Sequence, residues 1–190
     1  MKLKMELLSD VIFGNGISVP GAEDISVLRD VNGFPYYKGG TFKGVFREEY
    51  ERILELKGVS DNEAEVARLL GRPGSNDTNE KDKLMFGDFE LSDVVKNTLL
   101  EEIGTGRPEE ILDSLTHLRA FTAIGEDGTA KKGSLRLARC VNKGMVFWGE
   151  ITCLEKDKEI VKETLGMIKW IGSMRNRGFG RVKITEAEDA

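Results

Sequence analysis

The chain has 190 residues, 39% apolar and 32% charged, which suits one domain with a sizeable core and leaves no apolar run near the roughly 20 residues of a membrane helix. Two cysteines, Cys140 and Cys153, one histidine and no CxxC pair exclude a zinc site built from Cys and His alone, which needs about four ligands. The net charge of −5 would argue against nucleic acid if it were spread evenly, because phosphate binding needs local positive charge.

In chain order, MKLKMELLSD alternates apolar and polar residues without a signal-peptide core, so Leu3, Met5 and Leu7 predict a strand and the expected location is the cytoplasm, with both thiols reduced. A glycine-bearing stretch runs from Phe13 to Gly40. Thr41 reads as the N-cap of a helix whose Phe42, Phe46, Tyr50, Ile53 and Leu54 share one face, with Gly58 ending it. Glu63–Leu70 predicts a short second helix, and GRPGSNDTNEKDK a polar loop. Leu84–Leu91 reads as a strand and Pro108–Leu115 as a helix with proline in its first turn. Residues 121–143, glycine-rich and basic, predict a projecting hairpin around Asp127-Gly128.

Met145, Phe147 and Ile151 predict the next strand. Asp157 then caps a helix bearing Ile160, Val161, Leu165 and Ile168 on one face; Gly172 breaks it, and Arg181–Ile184 forms the last strand before an acidic tail. Trp170 falls on that helical period, and both tryptophans are expected in a core or interface. The order strand, helix, strand, strand, helix, strand predicts an α+β, ferredoxin-like (RRM-like) single domain over 1–190, with insertions at about 59–83 and 92–118 and a thumb-like hairpin at 121–143.

The basic charge is concentrated. Segments 36–47, 119–143 and 172–184 hold 13 basic residues against 2 acidic ones, and all three contain glycine, which lets backbone N–H groups approach an anion. In GSMRNRGFGRVKI, Gly172 to Ile184, a helix gives way to a loop whose Arg175 and Arg177 can grip phosphates bidentately. In NGFPYYKGGTFKGVFREEYERIL, Tyr36 and Tyr37 can stack on bases, Gly39, Gly40 and Thr41 open a helix whose amides favour an anion, and Lys43 and Arg47 lie one turn apart.

This pair of elements, N-G-x-P-Y-x-x-G-[GS]-[ST]-[FL]-K-G-x-x-R early and G-x-x-x-x-R-G-x-G-R late, resembles the RAMP superfamily of CRISPR-associated proteins, and the resemblance runs from Met1 to Ile184. It implies contacts to CRISPR RNA by Lys38, Gly40, Thr41, Lys43 and Arg47 of the early element and by Gly172, Arg175, Arg177, Gly178, Gly180 and Arg181 of the late loop. It also places the Asp127–Leu135 segment, with Lys131 and Lys132, where backbone subunits carry a thumb that kinks the guide–target duplex. KGGTFKG lacks the proline and serines usual at this helix start, so hydroxyl contacts fall mainly to Thr41.

GAEDISVLRDVNGFP further resembles the RNA-cutting backbone subunits of type III complexes, in which an aspartate precedes the V-[IL]-R-D segment. Asp24 matches it, implying a catalytic carboxylate and metal ligand for Mg²⁺ or another divalent cation, with RNA oxygens and water completing the shell. The bland role for Asp24 is to order its own loop; Asp30 reads as a turn residue before Asn32-Gly33. The partners implied are CRISPR RNA, target RNA, other RAMP subunits, a large polymerase/cyclase-like subunit and further copies of the chain, with no membrane. The alternatives are a non-catalytic RAMP subunit that caps or scaffolds the complex and a guide-RNA-processing endonuclease. The latter would draw on His117, a residue whose isolation reads as structural.

Overall fold

The structure is a computed structural model that describes residues 1–16, 23–72, 82–126 and 128–187. The centre of the polar loop, Asp127 of the predicted hairpin turn and the end of the acidic tail lie outside the described residues. The elements are β1 (Lys2–Leu7), α1 (Gly39–Leu56), α2 (Asn62–Leu70), β2 (Met85–Phe86), α3 (Asp93–Ile103), α4 (Pro108–Leu115), β3 (Thr116–Phe121), β4 (Arg136–Val141), β5 (Val146–Thr152), α5 (Lys158–Met167) and β6 (Val182–Glu186).

The fold is mixed α+β with antiparallel sheets. One sheet has the strand order β2-β5-β1-β6, and β3 and β4 pair separately as a hairpin. Strand periodicity sends Leu3, Met5 and Leu7 of β1 to one face, each at most 1% exposed. There they join Phe147 and Ile151 of β5, Val182 of β6, Phe42, Phe46 and Tyr50 of α1, and Val161 and Leu165 of α5 in one core. Full burial of each such side chain contributes roughly 1.5–3 kcal/mol. No helix among the described residues is long and apolar enough to cross a membrane.

Several boundaries move from their predicted places. α1 begins at Gly39, so Thr41 lies inside the first turn and is not the cap. The start is fixed from outside the helix: the Gly39 N–H donates to the Asp88 carboxylate at 2.7 Å, and a Cβ on Gly39 would stand 2.3 Å from the Phe86 carbonyl oxygen. Only Met85–Phe86 of the 84–91 segment forms a strand; Phe89 and Glu90 make isolated bridges to Tyr37 and Trp148. The weakly amphipathic α3, which buries no residue fully, had no sequence counterpart, although Ser92 caps it through the Val95 N–H. The first hairpin strand, β3, starts earlier than predicted and leaves α4 directly, while β4 lies inside the predicted 121–143 segment. The tryptophans are not core: Trp148 on β5 is 41% exposed, and Trp170, beyond the end of α5, is 39% exposed.

Asp157 stands at the N-cap position of α5 without a side-chain capping bond. It is 3% exposed and accepts from Arg68 of α2 at 3.0 Å, while its Oδ2 has no partner. The ion pair therefore ties α2 to the start of α5. Arg68→Ala should leave a buried carboxylate without its counter-charge and cost about 2 kcal/mol, less than for a fully buried pair because Arg68 is 37% exposed. The check is a lowered urea midpoint at unchanged slope.

Candidate nucleic-acid interface

The late loop is held by its own backbone. The Ile171 N–H donates to the Gly180 carbonyl, the Gly180 N–H to the Asp10 carbonyl and the Ser173 N–H to the Ile12 carbonyl, at 2.8 to 3.1 Å. Such contact leaves no room for side chains: a Cβ on Gly172 would stand 2.7 Å from the Ile12 oxygen, and one on Gly180 only 1.8 Å from the Ile171 oxygen. Both glycines also have positive φ, +73° and +79°. Between them Met174 sits at φ 58°, the one non-glycine residue with positive φ among the described residues, and Arg175–Arg177 form a 3-10 turn that carries both arginines outward. Arg181 is exposed where β6 begins, and Gly178 lies in open space.

The early helix α1 buries Phe42, Val45, Phe46 and Tyr50 and exposes Gly40, Thr41, Gly44 and Glu48. A Cβ at Gly40 or Gly44 would meet nothing within 4 Å, and neither has a positive φ. Each glycine therefore costs the helix roughly 0.5–1 kcal/mol relative to alanine with no packing reason. Their bare backbone is what a bulky anionic chain could approach.

The two motifs meet. A cleft of about 260 Å³ is lined by Ile12, Phe13 and Gly14, by Tyr36, Tyr37, Lys38, Thr41, Gly44 and Glu48, and by Gly172, Ser173 and Arg175. Lys38 and Thr41 at the opening of α1 thus face the late loop across one concave surface. Sequence reading missed Ser173, Glu48 and the Ile12–Gly14 wall; Glu48 was legible as the next residue of the exposed Gly40, Gly44 spacing of four.

Other predicted contacts lie elsewhere. Tyr37 cannot stack on a base: it is 3% exposed and stacks on Phe13 with ring centroids 4.9 Å apart. Arg47 is spent inside the protein, donating to the Leu70 and Gly71 carbonyls at the end of α2. Lys43 and Gly40 line a separate hollow with Lys83 and Leu84–Phe86; burial, then the Arg47 and Lys83 charges, hold the Lys43 ammonium below the ordinary lysine range. Lys131 and Lys132 are exposed in the segment joining β3 to β4 and do not line the cleft.

A second small core links hairpin and loop. Ile12, Ala138, Cys140 and Phe179 are buried together, flanked by Ile25, Phe121 and Met174. The Phe121 and Phe179 rings lie 5.5 Å apart, and the Arg119 guanidinium sits 4.9 Å above Phe179. Burial pushes the Cys140 thiol up to about 12, so it is unreactive.

Asp24 lies along β4. Its N–H donates to the Leu137 carbonyl and its Oδ2 accepts from the Leu137 N–H, both at 2.8 Å, while Oδ1 stands 3.9 Å from the Arg136 guanidinium. The carboxylate is 43% exposed. The neighbouring Glu23 is taken by Arg139 at 3.0 Å. No group of three or more His, Cys, Asp or Glu residues among the described residues could hold a metal ion. Asp30 is a turn residue, its Oδ1 accepting from the Asn32 and Phe34 N–H groups. His117 is engaged on both sides, with Nδ1 2.6 Å from Asn142 Oδ1 and Nε2 3.4 Å from Asp10 Oδ2.

The glycines separate by cause, which urea denaturation can measure. Gly44→Ala should raise stability by about 0.5–1 kcal/mol, because it improves helix propensity without a clash. Gly180→Ala should lower it by about 3 kcal/mol or more, because the new Cβ collides with fixed backbone.

No curated protein sequence matches the chain. Among solved structures, a chain of "Type III-B Cmr-beta bound to cognate target RNA" superposes with a TM-score of 0.67 at 12% identity, covering 96% of this chain and 95% of that one. A chain of the Type III-B Cmr-beta apo state gives a TM-score of 0.65 at 12% identity, covering 97% and 95%. At that identity the likeness is one of fold. The sequence model of the RAMP superfamily matches residues 4–183, both motifs included, and the chain belongs to the RAMP superfamily.

Proposed function

We propose that the chain is a CRISPR RNA-binding backbone subunit of a type III interference complex, built on a ferredoxin-like domain, that takes part in cleaving guide-paired target RNA. The observation that carries this reading is the convergence of the early and late motifs on one cleft, with bare helix backbone on one wall and Arg175 on the other. Phosphate contacts of this kind position an RNA without reading its sequence, as a guide-holding subunit requires. Superfamily membership supports it, as does the fold shared with chains of a type III-B complex, one bound to target RNA. The ferredoxin-like reading is supported by the strand order β2-β5-β1-β6, with α1 following the first of these strands in the chain and α5 preceding the last. Partners on this reading are guide and target RNA, other RAMP subunits, a large polymerase-like subunit and neighbouring copies.

The cleavage part rests on Asp24. The residues present do not fit a resident divalent ion: one oxygen of Asp24 is hydrogen-bonded, the other faces a guanidinium, and Glu23 is paired. Asp24 alone is half-open to a strand lying along the hairpin, so an ion at this place would belong to the assembled complex and not to the free subunit. The hydrogen bond from Leu137 also favours a second reading, in which Asp24 pins residues 23–25 to β4 and the subunit only scaffolds.

Two measurements separate these readings. Replacing Arg175 and Arg177 together by Ala should weaken single-stranded RNA binding and flatten the log–log salt dependence by about 1.4, at roughly 0.7 per lost phosphate contact; unchanged binding at two salt concentrations contradicts the RNA-gripping role. Asp24→Asn retains an acceptor for the Leu137 N–H, so fold and assembly should persist. Target cleavage by the reconstituted complex in magnesium should then fall at least about a hundredfold. Equal cutting by Asp24→Asn makes the subunit a scaffold.

A further inference from the structure

Within the cleft three groups are in an arrangement that the free protein leaves incomplete. The Tyr37 hydroxyl is buried and has no hydrogen-bond partner, although Tyr37 lines the cleft. The Gly172 backbone lies near enough to act on it, yet outside hydrogen-bond geometry. A buried hydroxyl left unpaired costs about 1–3 kcal/mol, so its persistence calls for an acceptor supplied from outside. Arg175 is drawn back to α1, its guanidinium 3.3 Å from the Glu48 carboxylate, with both side chains about half exposed. Tyr37, Glu48 and Arg175 all line this one cleft. An exposed pair of this kind is worth at most about 1 kcal/mol, so a phosphate can displace the carboxylate.

We propose that this cleft is an exchange site for an RNA phosphate: Arg175 leaves Glu48 for the phosphate, and the Tyr37 hydroxyl donates its unused hydrogen bond to the same anion. This rests on the reading that the cleft grips RNA. Glu48 is then a built-in competitor that keeps the arginine ordered and the site weak toward stray anions. Tyr37 is a specificity-determining donor, favouring a ligand that brings an acceptor oxygen deep into the cleft. The guanidinium gains a charge-assisted, bidentate partner in place of a single contact at 3.3 Å.

The test uses the full chain, a labelled single-stranded RNA, and the variants Glu48→Gln, Tyr37→Phe, Arg175→Ala and Glu48→Gln/Arg175→Ala, with melting temperatures of all. Glu48→Gln should tighten binding about threefold to fivefold, and that gain should vanish in the Arg175→Ala background. Tyr37→Phe should weaken binding about tenfold while leaving the melting temperature unchanged or raised, since it removes an orphaned hydroxyl. A gain from Glu48→Gln that survives Arg175→Ala reports general repulsion and overturns the exchange. Tyr37→Phe binding like wild type, or losing binding together with melting temperature, overturns the role of the phenol. If Arg175→Ala weakens binding while Glu48→Gln and Tyr37→Phe do nothing, the RNA-gripping reading stands and the exchange falls. If the wild-type chain binds no RNA, both fall.

Discussion

The close approach of two backbone segments, residues 171–180 against 10–12, is the constraint on which the candidate surface depends. Two N–H to carbonyl bonds join them, from Gly180 to Asp10 and from Ser173 to Ile12, while a third, from Ile171 to Gly180, closes the loop on itself; the missing Cβ at 172 permits the approach to Ile12 and the one at 180 permits the closure on Ile171. The contact brings the end of the chain back over the exit of β1. From there bridges run outward, from Gly14 to Val27, from Arg29 to Pro35 and from Tyr37 to Phe89, and deliver the opening of α1 to the same place. Remove the close approach and Arg175 has no fixed position relative to Lys38, Thr41 and Glu48.

Around this contact the protein divides its labour between two faces of α1. The buried face carries phenylalanine and tyrosine into the main core and provides stability. The exposed face gives stability up at Gly40 and Gly44, where the fold would accept alanine. In the late loop the positive φ of Met174 is likewise a local cost, held in place by the small core of Ile12, Ala138, Cys140 and Phe179 against which Met174 packs.

Local positive charge does not by itself say which basic side chains are left exposed. Of the basic residues in the glycine-rich segments, Arg47 caps α2, Arg119 meets Asp10 and Phe179, and Arg139 is a staple gripping Glu23, Asp113 and Thr116. These hold the hairpin and α2 on the body of the protein. Arg177, Lys38, Lys131 and Lys132 remain exposed, as does Arg175 beside Glu48. Composition cannot separate the two groups, because a guanidinium donates to carboxylate, carbonyl and phosphate alike.

Elements with a local signal could be read from the chain alone. Alternation placed β1 and β5, helical spacing placed α1, α2 and α5, and Pro108 marked the start of α4. Motif spacing also identified the two segments that meet in the cleft. What required tertiary structure was everything decided by a partner distant in the chain. The first turn of α1 is set by Asp88, Tyr37 is buried against Phe13, Asp157 turns to Arg68 instead of capping α5, and α3 holds on through partly buried residues too weak in period to be read. Asp24 and Leu137, or Glu48 and Arg175, lie more than a hundred residues apart, and no periodicity encodes such pairs. They come from chain reversal and close packing, whose energies depend on which surfaces meet and not on which residues follow one another.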